Sequence, residues 1–378
     1  MQRIAIEKFY DGEQFHQDVV VVIENGQIVT VEAANESEAL KSGTMVAGFI
    51  DVQVNGGGGA LFNSSTDVNS IITIGKAHAQ YGTTGFLPTL ITDDVTIMAD
   101  AADAIAEAIA TQAAGVLGVH FEGPHLSVAK KGVHSPEFIR PISEQEMAIF
   151  TRQDLGQVIV TLAPENVATS DIETLVKAGV KVCLGHSNAD FNTVQAAIDA
   201  GATGFTHLFN AMSAFTSRQP GMVGAALLND STWCGLIVDG HHVHYQSAAI
   251  AIRAKAQGKM MLVTDAMSVV GTDEQSFPFF GVDIIRTDDR LNAPTGELAG
   301  SCLDMASAVA NTVNNVGIEL GEALNMASRY PAEFLGKAAQ YGSLKVGMRA
   351  DLVILDDNLN VLETYIAGEQ IFTGAAQS

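Results

Sequence analysis

From residue 46 onward, short apolar runs alternate with Ala-rich helical segments such as 97–110 and 193–200, and no other feature of this chain narrows its fold as sharply. Alternation of that kind builds β-α units, whose strands lie parallel because each helix carries the chain back across the sheet. Eight runs stand out, at 46–53, 85–90, 116–122, 158–163, 180–186, 204–207, 233–239 and 260–265. Eight such strands are what a TIM (β/α)8 barrel requires. Beyond residue 265 we read a long loop, then helical stretches over 303–317 and 321–336.

The two ends of the chain read differently. Residues 18–24 and 27–31 are β-branched runs on either side of Asn25-Gly26, a strong signal for a hairpin with a two-residue turn. Residues 347–356 return to β character after the helices. Both ends are therefore expected to build one small β-domain, over 1–47 and 346–378, beside a barrel domain over 48–345.

Composition limits what such a barrel handles. A formal charge of −23 argues against nucleic acid, whose phosphates demand a basic face, while a small anionic ligand would need a local cluster of donors. Apolar runs fall short of the roughly 20 residues of a membrane span. The start Met1-Gln2-Arg3-Ile4 lacks the basic and apolar blocks of a secretion signal, so a soluble, cytoplasmic protein is expected. Cys183, Cys234 and Cys302 are few and far apart, which suits buried thiols in a reducing compartment.

Barrel enzymes place their chemistry where strands finish. The run at 116–122 ends in Glu122 and is cut off by Gly123-Pro124; the runs at 180–186, 204–207 and 260–265 end in His186, His207 and Asp265. Taken singly, each is as readily a hydrogen-bonded rim residue. Four metal-capable side chains in phase with four strands of one barrel point to a common site. Glu122, His186 and His207 would hold a divalent ion, most simply Zn²⁺, with a position left open for water, and Asp265 would be the base. His120 shares the strand parity of Glu122 and reads as a supporting or packing residue; His78, on a helical pattern, reads as structural.

With those residues in place, the chain resembles the amidohydrolase superfamily. The motifs that carry the resemblance are Gly48-Phe49-Ile50-Asp51, His120-Phe121-Glu122-Gly123-Pro124, Gly185-His186, Thr206 to Met212, Val263-Thr264-Asp265-Ala266 and Gly347 to Leu352. Within the superfamily it is similar to the N-acetylglucosamine-6-phosphate deacetylase family, over nearly the whole chain. That resemblance implies a TIM barrel with a small β-sandwich from both termini. It also implies hydrolysis of the acetamide of N-acetylglucosamine 6-phosphate to glucosamine 6-phosphate and acetate. N-acetylgalactosamine 6-phosphate, or the substrate of another amidohydrolase, is the alternative, and a sugar-phosphate sensor without catalysis is the alternative from another class.

Carried over residue by residue, the resemblance makes Glu122, His186 and His207 the metal ligands and Asp265 the catalytic acid/base. Many amidohydrolases carry His-x-His at the end of the first strand for a second metal, and this chain has Gln53 and Asn55 there instead. Amides bind divalent ions weakly beside imidazole, so one metal per subunit is expected, Zn²⁺ first and Fe, Mn or Co as the other options. His134 is implied to contact substrate and polarise the acetyl carbonyl, and Gln53 to bind substrate. Phosphate contacts are implied from Asn210, the Ala211 backbone, His242, and Arg218 of the neighbouring subunit in a homodimer, arginine's planar fork being suited to phosphate. His125 stands where relatives commonly carry an aromatic, and the loop it opens, through Lys130 and Lys131 to His134, is expected to overhang the metal.

Overall fold

The computed structural model describes residues 1–374. The last residues of the expected terminal domain, 375–378, lie outside the described residues. Chain order starts with β1 (Gln2–Tyr10), β2 (Phe15–Glu24), β3 (Gln27–Ala33) and β4 (Lys41–Ala47). The hairpin lies where Asn25-Gly26 demands it: Glu24 pairs with Gln27, and both turn residues are left-handed, at φ 50° and 76°.

Strand β5 (Phe49–Val54) opens the barrel, followed by the two-residue ribbon strands β6 (Gly56–Gly57) and β7 (Ala60–Leu61). The remaining barrel strands are β8 (Thr83–Ile91), β9 (Gly118–Glu122), β10 (Gln157–Leu162), β11 (Lys181–Leu184), β12 (Gly204–Phe205), β13 (Trp233–Leu236) and β14 (Met260–Leu262). They form one eight-stranded sheet in the order β14-β13-β12-β11-β10-β9-β8-β5, with every adjacent pair parallel. The ends of that sheet meet just past β14, where the Asp265 N–H donates to the Gln53 carbonyl at 3.0 Å and the Thr264 hydroxyl to Asp51 at 2.5 Å. The barrel is thus nearly closed. Every residue of β8 and β9 is buried, because helices cover the outside and side chains fill the inside; this is why these strands read as unbroken apolar runs.

The expected first run, 46–53, proves to be two strands. Gly48 divides them: a Cβ there would lie 2.0 Å from the Thr84 hydroxyl, so only glycine lets the chain turn from the small sheet into the barrel. Apolar character continues across the seam because both sides are buried, which hides it from a pattern reading.

The loop expected after residue 265 is partly ordered sheet. Strands β15 (Ser276–Phe279), β16 (Val282–Thr287) and β17 (Arg290–Asn292) form an antiparallel trio. Phe277, Phe279, Ile284 and Leu291 turn inward from it and pack with Leu61, Ile91, Met267 and Val269.

The chain then returns through β18 (Leu352–Leu355), β19 (Val361–Ile366) and β20 (Glu369–Thr373) to complete a seven-stranded sheet, β20-β19-β18-β4-β1-β2-β3. Inward residues of β1, β2, β3, β4, β18 and β19 share one core, so the sheet curls over itself as the small β-sandwich domain. The period-two alternation of strands joins this core to the barrel's. Met45, Ala47, Leu352 and Ile354 point into the small core, while Val46, Val353 and Leu355 point into the large one.

His78 illustrates a structural histidine. It is wholly buried on the helix Val68–Ala79, with Nε2 at 2.9 Å from the Gly56 carbonyl, and burial pushes its pKa down to about 4. The unfolded chain takes up that proton near pH 6.5 and the native state does not, so the contribution to stability is complete above pH 6.5 and lost as pH falls toward 4. His78→Gln should therefore lose about 2 kcal/mol less than the parent between pH 7 and pH 5. Denaturant melts of both proteins at the two pH values check this; equal losses would refute it.

Candidate active site

Glu122 is the last residue of β9, with its side chain in the barrel mouth. His186, His207 and Asp265 lie just beyond β11, β12 and β14, each in the left-handed region at φ 46°, 34° and 54°. The sequence reading ended strands on these three residues. A left-handed residue cannot continue a parallel ladder, so the strands stop earlier and the turned backbone aims each side chain over the barrel axis. For non-glycine residues such backbone costs about 1 kcal/mol or more each, and it is typical of sites that hold side chains in place.

The result is a tight buried cluster. Glu122 Oε1 lies 3.1 Å from His186 Nε2 and 2.9 Å from His207 Nε2, and the two imidazole nitrogens are 2.9 Å apart. These three residues are grouped within the span a single metal ion occupies. Their hydrogen bonding fits such a group. His186 Nδ1 faces the Lys130 carbonyl at 2.8 Å and must donate to it, which leaves the Nε2 lone pair directed into the cluster. Gln53 Nε2 donates to the other carboxylate oxygen, Glu122 Oε2, at 3.1 Å, freeing Oε1 for the cluster. With two imidazoles around it, Glu122 is held well below the usual carboxylate range in spite of its burial.

Asp265 completes the floor. Its Oδ1 accepts from Gln53 Nε2 at 3.1 Å and from Asn55 Nδ2 at 2.7 Å. Burial first, and then the charge of Glu122, push its carboxyl up to about 6. A bound cation would lower both carboxyls, adding to the shift of Glu122 and opposing that of Asp265.

A cavity of roughly 170 Å³ stands above these groups, walled by Glu122, His134, His186, His207, Asp265 and, at another side, by Asn210, Ala211 and His242. His134 Nδ1 is 2.8 Å from the Thr92 hydroxyl, whose other acceptor, the Glu122 carbonyl, is at 3.3 Å. The Thr92 hydroxyl donates to that carbonyl or to Nδ1, and the His134 tautomer that takes the hydroxyl hydrogen at Nδ1 is the one that presents Nε2–H to the cavity. Burial holds this imidazole well below its usual pKa, so it is neutral at pH 7. His242 Nδ1 is 2.6 Å from Asp239, which also accepts the His241 and His242 backbone N–H groups. A carboxylate can only accept, so Nδ1 carries the hydrogen and Nε2 is the ring atom left for the cavity.

Two expected site residues do not line this cavity. Gln53 sits behind the carboxylates and binds them both, and Arg218 is exposed on a loop outside its own cavity wall. His125 turns away: it is buried, bonds the Arg140 carbonyl at 2.9 Å and stacks edge-on against Phe150. His120 lies beneath Glu122, between the Val52 carbonyl at 3.0 Å and the Thr161 hydroxyl at 2.7 Å. His241 bonds Asp289 at 2.8 Å, and His244 caps the helix Tyr245–Ala254. The sequence reading missed the cavity's apolar side, made by Ile91, Val133, Met267, Phe279 and Leu298.

A nearly closed parallel barrel with a carboxylate, two imidazoles and a further buried carboxylate at its strand ends defines a metal-dependent hydrolase of the TIM-barrel class. Residues 44–371 match the model of the Amidohydrolase family, and the chain belongs to that family. It is 53% identical to the N-acetylgalactosamine-6-phosphate deacetylase of Shewanella sp. (strain ANA-3), across 88% of this chain and 84% of that one. It is 37% identical to the N-acetylglucosamine-6-phosphate deacetylase of Haemophilus influenzae, across 93% and 94%. The crystal structure of N-acetylglucosamine-6-phosphate deacetylase from Pasteurella multocida superposes with a TM-score of 0.94 at 36% identity, across 99% of this chain and 100% of that one.

Proposed function

We propose that this enzyme hydrolyses the acetamide of an N-acetyl amino-sugar 6-phosphate, N-acetylglucosamine 6-phosphate in the first reading, to the free amine and acetate. The observation that carries the proposal is the convergence of Glu122 Oε1, His186 Nε2 and His207 Nε2 beside Asp265 in one cavity that also meets His134 and His242. Glu122, His186 and His207 hold one divalent ion, Zn²⁺ in the first reading and Fe, Mn or Co as the other options. When bound, that ion supplies Lewis acidity toward water and toward the amide carbonyl. The amide nitrogens of Gln53 and Asn55 face the carboxylates, an arrangement that supports a single ion.

Asp265 takes the proton of the attacking water and returns it to the departing amine. His134 donates Nε2–H to the carbonyl oxygen as negative charge develops there. Asn210, the Ala211 backbone and His242 bind the phosphate. Arg218 reaches the phosphate of a neighbouring subunit in a homodimer. Its exposed loop borders an apolar patch on which Phe215, Leu228 and Ile250 are each more than half exposed, at 65%, 71% and 65%, and a second copy would cover it. A cytoplasmic setting agrees with three free cysteines and with the absence, among the described residues, of any helix long and apolar enough to cross a membrane.

N-acetylgalactosamine 6-phosphate as the preferred substrate is a second reading, favoured by the 53% identity to a deacetylase of that sugar. Acetate release should be measured on both epimers, with chelator and after metal return. The expected result is turnover that chelator abolishes and one equivalent of metal restores. Undiminished turnover in a metal-free preparation would overturn the metal reading, and inertness toward both epimers would overturn the function.

A further inference from the structure

The apolar side of the cavity has no part in the chemistry described so far, yet its residues are spliced into it. Val133 precedes His134, Ile91 precedes Thr92, whose hydroxyl orients His134, and Met267 lies two residues after Asp265. Ile91, Met267 and Phe279 are 4%, 2% and 5% exposed and belong to one cluster, against which Val133 packs. That cluster is backed by the inward faces of β15, β16 and β17, so the wall is a packed core and a poor candidate for yielding to a larger group. Gly300, left-handed at φ 62° and itself on the cavity wall, lies close against Met267: a Cβ there would meet Met267 Cγ at 2.5 Å.

We propose that Ile91, Val133, Met267 and Phe279 form an acyl pocket that limits the leaving acid to about the size of acetate. This rests on the deacetylase reading. The carbonyl oxygen points to the metal cluster and His134, and the amide nitrogen to Asp265. The third substituent of the reacting carbon, the acyl chain, then has to face the side chains interleaved with those two groups. A one-methylene mismatch in such a pocket changes kcat/KM by roughly 10- to 200-fold.

The test compares kcat/KM for N-acetyl, N-propionyl and N-butyryl forms of the same amino-sugar 6-phosphate. The parent enzyme should fall steeply from acetyl to butyryl. Met267→Ala should raise the butyryl-to-acetyl ratio at least about tenfold, and Val133→Ala, a smaller change at the edge of the cluster, should raise it in the same direction and stands in if Met267→Ala does not fold. An unchanged ratio in a folded variant, with KM altered equally for all three, would place the wall against the sugar ring and overturn the acyl pocket while leaving the deacetylase intact. A parent inert toward the acetyl compound would instead remove the deacetylase reading on which the pocket depends.

Discussion

Asp265→Asn should bind metal and substrate almost as the parent does and lose about 10²- to 10⁴-fold in kcat. Asparagine has the same shape, and its oxygen can still accept from Gln53 Nε2 and Asn55 Nδ2, the two bonds that hold the native side chain at 3.1 and 2.7 Å. What it loses is the ability to take a proton from water and hand it on. Elemental analysis should return the parent's metal content, and the KM should move little. A kcat within a few-fold of the parent would show that another group carries the proton. The pH profile adds a second readout. Burial and Glu122 raise the Asp265 carboxyl to about 6, and a cation lowers it, so the acid limb of the parent's kcat profile belongs below pH 6. Activity falls there because protonation removes the base, and residual activity of the asparagine variant should lack that limb.

The parts of this molecule legible in the sequence are those where one local rule decides the outcome. Asn25-Gly26 forces a hairpin because few other pairs accept two left-handed residues in succession. The barrel strands show through because burial on both faces leaves them continuously apolar. The candidate metal-binding cluster shows through because Glu, His and His stand out at or just past strand ends in a chain with only 10 histidines. The sheet of β15, β16 and β17 does not. Its first turn is Phe280-Gly281, left-handed at a phenylalanine with φ 44°, and Pro278 breaks the strand pattern, which is tolerated only because β15 is an edge strand. Exposed Val282 and Ile285 further blur its alternation. The apolar wall of the cavity is hidden for a different reason. Ile91, Val133, Met267 and Phe279 come from four distant segments of a chain that is 47% hydrophobic, and only the tertiary structure separates them from other core residues.

Glu122→Gln should cost more activity than any other single change, and it should do so without harming the fold. The carboxylate supplies the cluster's negative charge, and the amide that replaces it is a poor ligand that would present either one neutral oxygen or an N–H group to the ion. Bound metal should drop from about one equivalent to near none after gel filtration, and turnover should fall with it. Stability separates this from simple damage. In the parent, saturating metal at 100-fold above its Kd adds about 2.7 kcal/mol to the native state, an increment that Glu122→Gln should not show. Without metal the order should be different. Glu122 is 2% exposed and its charge is balanced there only to the extent that the nearby imidazoles are protonated, so exchanging it for a neutral amide removes a buried charge. As pH rises and His207, which Glu122 holds above its usual pKa against the effect of burial, loses its proton, that charge becomes less compensated, and the metal-free variant should melt at or above the metal-free parent at pH 8. Thermal melts of both proteins with chelator and with excess metal provide the four values needed. A metal-dependent shift of equal size in parent and variant would remove Glu122 from the ligand set, and a metal-free variant several degrees less stable would make it chiefly a structural residue.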